Sequence, residues 1–356
     1  MDSRERVLAA CERRRPDRPP IDLTCTPEAM AALQAHLGLS SGNAVLDDLD
    51  VDMRRVGLPF IGPAERSAVP LGSEGVDFWG CRIRKVVTEF NTYYEWDGHP
   101  LAHCKTVADV EAYDWPSLDW WDYSAMPRLI EEQNAAGRRA IMFFAGGAFE
   151  TPWYLRGLEQ FLIDLRQQPE IAEAICRHVE EYYRLRALRV LEVAGDRIDL
   201  IGTGGDIGTQ RGMMLNPALW RRHIKPYTGR LIRTFKALGY KTFYHSCGSL
   251  VPVIPDLIEV GLDLLDPIQP QAAGMNPEAL FESFGDRLSF HGGIDEQELL
   301  PHGTAEQVYA ETTRVIDILG QNGGYVVAAA HNVQGDTPPE NVAAMCQAAR
   351  DYRWRE

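Results

Sequence analysis

A histidine and a cysteine two residues apart, in His245-Ser246-Cys247-Gly248, bring together two side chains that zinc readily binds. If the segment ends a β-strand, residues i and i+2 point to the same side, and imidazole and thiol reach one ion together. A bound ion would lower the thiol pKa and hold the thiolate. Two ligands do not make a site, so a third must come from another strand end. His331, in Ala330-His331-Asn332, is the candidate, with Glu150, Asp206 or the substrate itself completing a tetrahedron. Packing, or hydrogen bonding to substrate without a metal, is the alternative role for so short a pattern.

Asp206 sits in the glycine-rich run Thr203-Gly204-Gly205-Asp206-Ile207-Gly208-Thr209-Gln210-Arg211-Gly212. Glycines let backbone approach a ligand closely, and an Asp there can take a proton; ordering the loop is its other common use. His291 and Asp295 flank Gly292-Gly293, and Asp266 and Gln269 flank Pro267, where they could position polar substrate groups. Asp206 is the candidate for proton chemistry; Glu150, Arg211, Gln269 and Asp295 are those for substrate contact. Lys225 reads as a solvated salt bridge. Aromatics crowd the first third of the chain (Phe78-Trp79, Tyr93-Tyr94, Trp96, Trp115, Trp120-Trp121), mostly for packing, with a few available to line a pocket for a flat or methylated ligand. There is no G-x-S-x-G elbow, no phosphate-binding G-x-x-x-x-G-K-[ST], and no G-x-G-x-x-G after the first strand, so serine hydrolase, P-loop and dinucleotide chemistries lack support.

Positioning these residues requires strands, and the sequence supplies them rhythmically from residue 138 onward. Short apolar runs end in Gly or polar residues, and amphipathic segments follow each. The pattern predicts strands over 140–145, 197–202, 241–245, 262–267, 288–292 and 325–330. Helices are predicted over 157–168, 169–194, 217–237, 250–260, 304–319 and 338–352. An entry helix over 3–14 precedes Pro16, and Ile21-Asp22-Leu23-Thr24 reads as a short strand. Strand-helix alternation means parallel pairing. Polar clusters after almost every strand favour a closed (β/α)₈ TIM-type barrel over an open sheet, because all eight loops of a barrel converge on one mouth. One domain over 1–356 is the simplest organisation. The irregular, aromatic stretch 42–103 is expected as an insertion or lid holding a small antiparallel sheet over the mouth.

The composition sets the partner class. The chain has 356 residues, a net charge of -15 and 45% hydrophobic content, so it can bury a large core but lacks the basic surface that nucleic acid or anionic lipid requires. No apolar run approaches the roughly 20 residues of a membrane span. The charged N-terminus lacks a signal peptide's apolar centre, and seven scattered cysteines suit reduced thiols, so a cytoplasmic enzyme of small molecules is expected. A homodimer is left open.

Several segments resemble the uroporphyrinogen decarboxylase superfamily: Gly147-Ala148 through Trp153, Arg156-Gly157, Phe161-Leu162, His245-Ser246-Cys247-Gly248, Gly293-Ile294-Asp295, and His331-Asn332 with Thr337-Pro338-Pro339-Glu340-Asn341. The resemblance implies a (β/α)₈ barrel. True uroporphyrinogen decarboxylases carry an arginine-rich R-Q-A-G-R segment after the first strand for a polycarboxylate substrate; here Thr24-Cys25-Thr26-Pro27-Glu28 stands in that place. The other branch, zinc-dependent methyltransferases that pass a methyl group between a corrinoid protein and a thiol, is similar at H-x-C-G and has a further Cys six residues before T-P-x-E-N. Here that position is His331. The resemblance therefore implies zinc on His245, Cys247 and His331, a corrinoid protein partner, and a methyltransferase or demethylase in which Asp206 or His291 would manage protons or orient the methyl donor. The rival is a metal-free decarboxylase or lyase acting on a smaller carboxylic acid.

Overall fold

The computed structural model describes residues 1–67 and 74–354. Seven parallel strands pair in chain order: β1 (Met53–Val56), β2 (Ala140–Gly146), β3 (Leu200–Gly204), β4 (Lys241–His245), β5 (Leu264–Ile268), β6 (Ser289–Ile294) and β7 (Tyr325–Ala329). The segment around Ile21 closes the sheet between its two edges. The Asp22 N–H donates to Val327 O at 2.9 Å, the Val327 N–H to Pro20 O at 2.8 Å, and on the other side the Asp52 N–H to Ile21 O at 2.8 Å. The result is the expected eight-stranded barrel, with helices in the crossovers and strand C-termini gathered at one mouth.

The opposite end is plugged by the entry helix Ser3–Cys11, which starts on an Asp2/Glu5 capping box. Its Val7, Ala10 and Cys11 pack on Met53, Ala140, Met142, Leu200, Phe243, Leu264 and Val326, side chains of the strands themselves. Apolar residues thus fill the lower barrel, and polar ones are left for the top.

Strand β4 and the helix Pro169–Ala194 have the predicted boundaries. The predicted helix 217–237 is two helices, Pro217–His223 and Lys225–Ala237, because Pro226 has no N–H to continue the ladder. Pro252 and Pro255 likewise shorten 250–260 to a 3-10 turn (Val251–Val253) and a helix (Ile254–Glu259).

The stretch 42–103 is only in part a lid. It does hold an antiparallel sheet, Gly75–Val76, Arg82–Val87 and Thr92–Gly98, but it also contributes β1 to the barrel; residues 68–73 of the stretch lie outside the described residues. β1 escapes sequence reading because Met53-Arg54-Arg55-Val56 carries two arginines. Arg54 is buried yet satisfied, by Val51 O, Met53 O and Asp47, while Arg55 pairs with Asp22. The small sheet lies on the mouth side. Trp96 stacks on Tyr154 at 4.0 Å between centroids, and Asn91 Oδ1 accepts the Gly335 N–H at 2.8 Å. Among the described residues, no helix is long and apolar enough to cross a membrane.

Candidate active site

Register brings the metal-ligating residues together. His245 ends β4, opposite Gly204 of β3 and Asp266 of β5, and Cys247 follows as the chain leaves the strand. His331 comes from the loop after β7. Donor atoms of His245, Cys247 and His331 all lie within 4.8 Å of one another, and His245 Nε2 is 3.7 Å from Cys247 Sγ. The two histidine rings are 6.2 Å apart, centroid to centroid. Both rings line a cavity of about 590 Å³ at the barrel mouth, together with Glu150, Phe144, Asp266 and His291.

A chain of charged groups runs behind His245 across the barrel. Asp266 Oδ2 accepts from His245 Nδ1 at 2.6 Å, which leaves Nε2 facing Cys247. The other Asp266 oxygen stands 2.5 Å from His291 Nδ1, and His291 Nε2 is 2.9 Å from Asp22 Oδ2. Arg55 closes the chain with two hydrogen bonds to Asp22, at 3.0 and 2.6 Å. Five groups from five barrel segments therefore alternate in sign, which is how charges persist in an interior.

The titrations follow from these neighbours. Burial disfavours protonated His245, but its bonds to Asp266 and Cys247 outweigh that and hold it well above the usual histidine range. His291 is likewise desolvated, yet its carboxylates raise it to about 9. Asp266 and Asp22 are held far below the usual carboxylate range despite burial, Asp266 by its two histidines and Asp22 by Arg55 and His291. Burial pushes the Cys247 thiol up to about 11. His331 is lowered, first by burial and then by the positive charge of His245, and so favours the neutral, ligand-competent form. Glu150 rises to about 7 through burial and the charge of Asp206, with a hydrogen bond from Tyr154 OH at 3.2 Å.

The other predicted residues divide. Asp206 is at the site: Oδ1 accepts the Cys247 N–H at 2.8 Å and lies 3.6 Å from His245 Nε2. Glu150 and His291 line the cavity. Arg211 does not; it is exposed at the tip of the hairpin Gly208–Thr209/Gly212–Met213, and its own N–H is turned back onto Thr209 Oγ1 at 3.2 Å. Gln269 is buried and spent on loops, its Oε1 accepting the Gly248 N–H at 2.7 Å and its Nε2 donating to Ala330 O. It ties the Cys247 loop to the His331 loop rather than touching substrate. Asp295 accepts the N–H groups of Gln297, Glu298 and Leu299, so it orders the next turn. Lys225 pairs with Asp256 and Glu259, as expected.

Sequence reasoning missed the Asp22–Arg55 pair. A charged residue inside a short apolar strand, Asp22 between Ile21 and Leu23, is the signal that was available, because an inward-facing carboxylate in a barrel must find a cation.

Comparison with known proteins agrees with this architecture. Residues 102–352 match the family model for uroporphyrinogen decarboxylase (URO-D). The chain belongs to the URO-D family. A uroporphyrinogen decarboxylase of Syntrophotalea carbinolica is 24% identical over 257 residues, covering 67% of this chain and 68% of that one. One from an Azoarcus species is 34% identical over only 68 residues, 19% of this chain and 18% of that protein. Among solved structures, a methyltransferase from Methanosarcina mazei superposes on this URO-D family chain with a TM-score of 0.73 over 99% of both chains at 18% identity, a likeness of fold.

Proposed function

We propose that this URO-D family chain is a zinc-dependent methyltransferase or demethylase, moving a methyl group between a small molecule or thiol and a corrinoid carried by a partner protein. The observation that carries the reading is the convergence of His245, Cys247 and His331 donors within 4.8 Å. The donor set fits zinc: two imidazoles and a thiol, with Asp266 on His245 Nδ1 in the carboxylate–histidine arrangement that orients metal ligands. A metal would also relieve the thiol, which burial otherwise keeps protonated. The name of the Methanosarcina mazei structure supports the same reaction class.

A zinc ion held there would supply Lewis acidity, favouring the thiolate of a bound thiol or stabilising a departing oxygen. The chain's own residues do the rest. Asp206 fixes the Cys247 backbone, and Glu150, near neutral in pKa, can take or give a proton at its carboxylate beside the cavity. Asp22, Arg55 and His291 hold Asp266 in place behind His245.

The rival reading, a metal-free carboxy-lyase, has the names of the two curated relatives in its favour. Its difficulty is charge. Arg55 lines the cavity but is committed to Asp22, and neutral Thr24 and Cys25 stand where a polycarboxylate would need cations. Elemental analysis of purified protein decides: about one zinc per chain is expected, falling on substitution of Ala for His245, Cys247 or His331. A wild-type protein that retains no metal after incubation with zinc, yet releases carbon dioxide from a panel of acids, would sink the proposal in favour of its rival.

A further inference from the structure

A second cavity of about 420 Å³ adjoins the first, with which it shares Phe144 and Glu150. Its walls are largely aromatic, with Phe78, Trp79, Trp121, Tyr154 and Tyr183 among them, and its size suits a ligand built on one ring. Packing explains why these rings are together, but not the cation among them. Arg186 lines the cavity at 9% exposure, its guanidinium 4.9 Å from the centre of Trp121 and 5.3 Å from that of Tyr183. One N–H of Nη2 donates to Ala145 O at 2.9 Å, Nε has no partner, and among the described residues no carboxylate forms an ion pair with it. A buried guanidinium without a counter-ion is costly, and a ligand anion would supply what is missing.

The cavity's acidic groups are already engaged. Asp77 accepts the Cys81 N–H at 2.8 Å and Trp96 Nε1–H at 3.1 Å, and Glu150 accepts Tyr154 OH. A methylated ammonium ion would favour an aromatic cage too, but Arg186 already covers ring faces and would repel it.

We propose that this cavity binds an aromatic carboxylate, with its carboxylate on Arg186, its ring among the aromatic walls, and the far edge of the ring directed past Phe144 toward the metal-ligand cluster. The binding stands on the cavity alone; its meaning as a substrate site rests on the metal-dependent reading above.

Para-methoxybenzoate serves as the probe, titrated into the full-length protein by calorimetry and tryptophan fluorescence, with zinc content measured on the same samples. Anisole, cyclohexanecarboxylate and tetramethylammonium are the comparison ligands. The expected result is binding of para-methoxybenzoate that weakens on the order of 10- to 100-fold in Arg186→Met, in line with loss of a charged hydrogen bond, and recovers in part in Arg186→Lys. Leu58→Trp, which narrows the cavity at another lining residue, should also weaken it. Anisole and cyclohexanecarboxylate, each lacking one of the two recognised features, should bind more weakly. Equal affinity for anisole, preference for tetramethylammonium, or no binding of the aromatic acid overturns the proposal. So does unchanged affinity in a folded Arg186→Met protein. Should that variant not fold, the ligand series on wild type and Leu58→Trp still decides. Wild type that binds the acid yet retains no zinc after incubation with it leaves this site standing and sinks the metal reading. Zinc-loaded protein that ignores the acid does the reverse.

Discussion

Asp266 serves two histidines at once, and an amide cannot. Asn in its place could accept from either His245 Nδ1 or His291 Nδ1 but would turn an N–H toward the other. Asp266→Asn should therefore lower zinc affinity by about 10- to 100-fold, the usual effect of losing such a supporting carboxylate; chelator competition measures it, and unchanged affinity would show that Asp266 does not orient the ligand. Asp77 offers a separate titration. Burial raises its carboxyl to about 6 from the ordinary 3.8, so the folded chain binds a proton more readily than the unfolded one. Its contribution to stability is fully present below the unfolded value and is lost as pH rises through about 6, roughly 3 kcal/mol at most for a shift of that size. Unfolding curves between those two pH values should show wild type losing stability relative to Asp77→Asn as pH rises; parallel curves would refute the assignment.

Elements were legible wherever apolar periodicity ran uninterrupted. β4 and the helix Pro169–Ala194 keep their predicted ends, whereas β1 was hidden by Arg54 and Arg55, whose charges are neutralised by Asp47 and Asp22, both outside the strand. The loop after β4 shows how neighbouring elements fix the site. Gly248 has φ +78, and a Cβ there would come within 2.6 Å of Gly208 C and Thr209 N of the adjoining hairpin. Gly248→Ala is expected to cost about 1–3 kcal/mol in strain and, by displacing Cys247, to weaken metal binding as well. Chemical denaturation and zinc competition on one preparation test both halves; a fall in stability without a change in affinity would mean that the loop is not a positioning device.

At the scale of the whole molecule, closure depends on the N-terminal segment. Asp52, fully buried, accepts from Arg6 Nη1 at 2.6 Å, Arg18 Nη1 at 2.8 Å and the Ile21 N–H at 2.8 Å, joining the plugging helix, the closing segment and β1. Asp52→Ala takes the carboxylate from Arg18, leaves Arg6 with Asp17 alone, and should destabilise the chain by about 3–5 kcal/mol, read as a lowered denaturation midpoint; a loss under 1 kcal/mol would mean that the barrel closes without this junction. The sequence by itself determined the alternation of strands and helices, the barrel class, and the identities of His245, Cys247, His331, Glu150, Asp206 and His291 as residues of the mouth, because periodicity and strand-end polarity are local properties of the chain. Only the tertiary structure decided that Arg211 points away, that Gln269 and Asp295 hold loops, and that Asp22, Arg55 and Asp266 form the support behind His245. Those roles depend on which side chains meet across the barrel, and barrel register joins residues that lie tens to hundreds of positions apart.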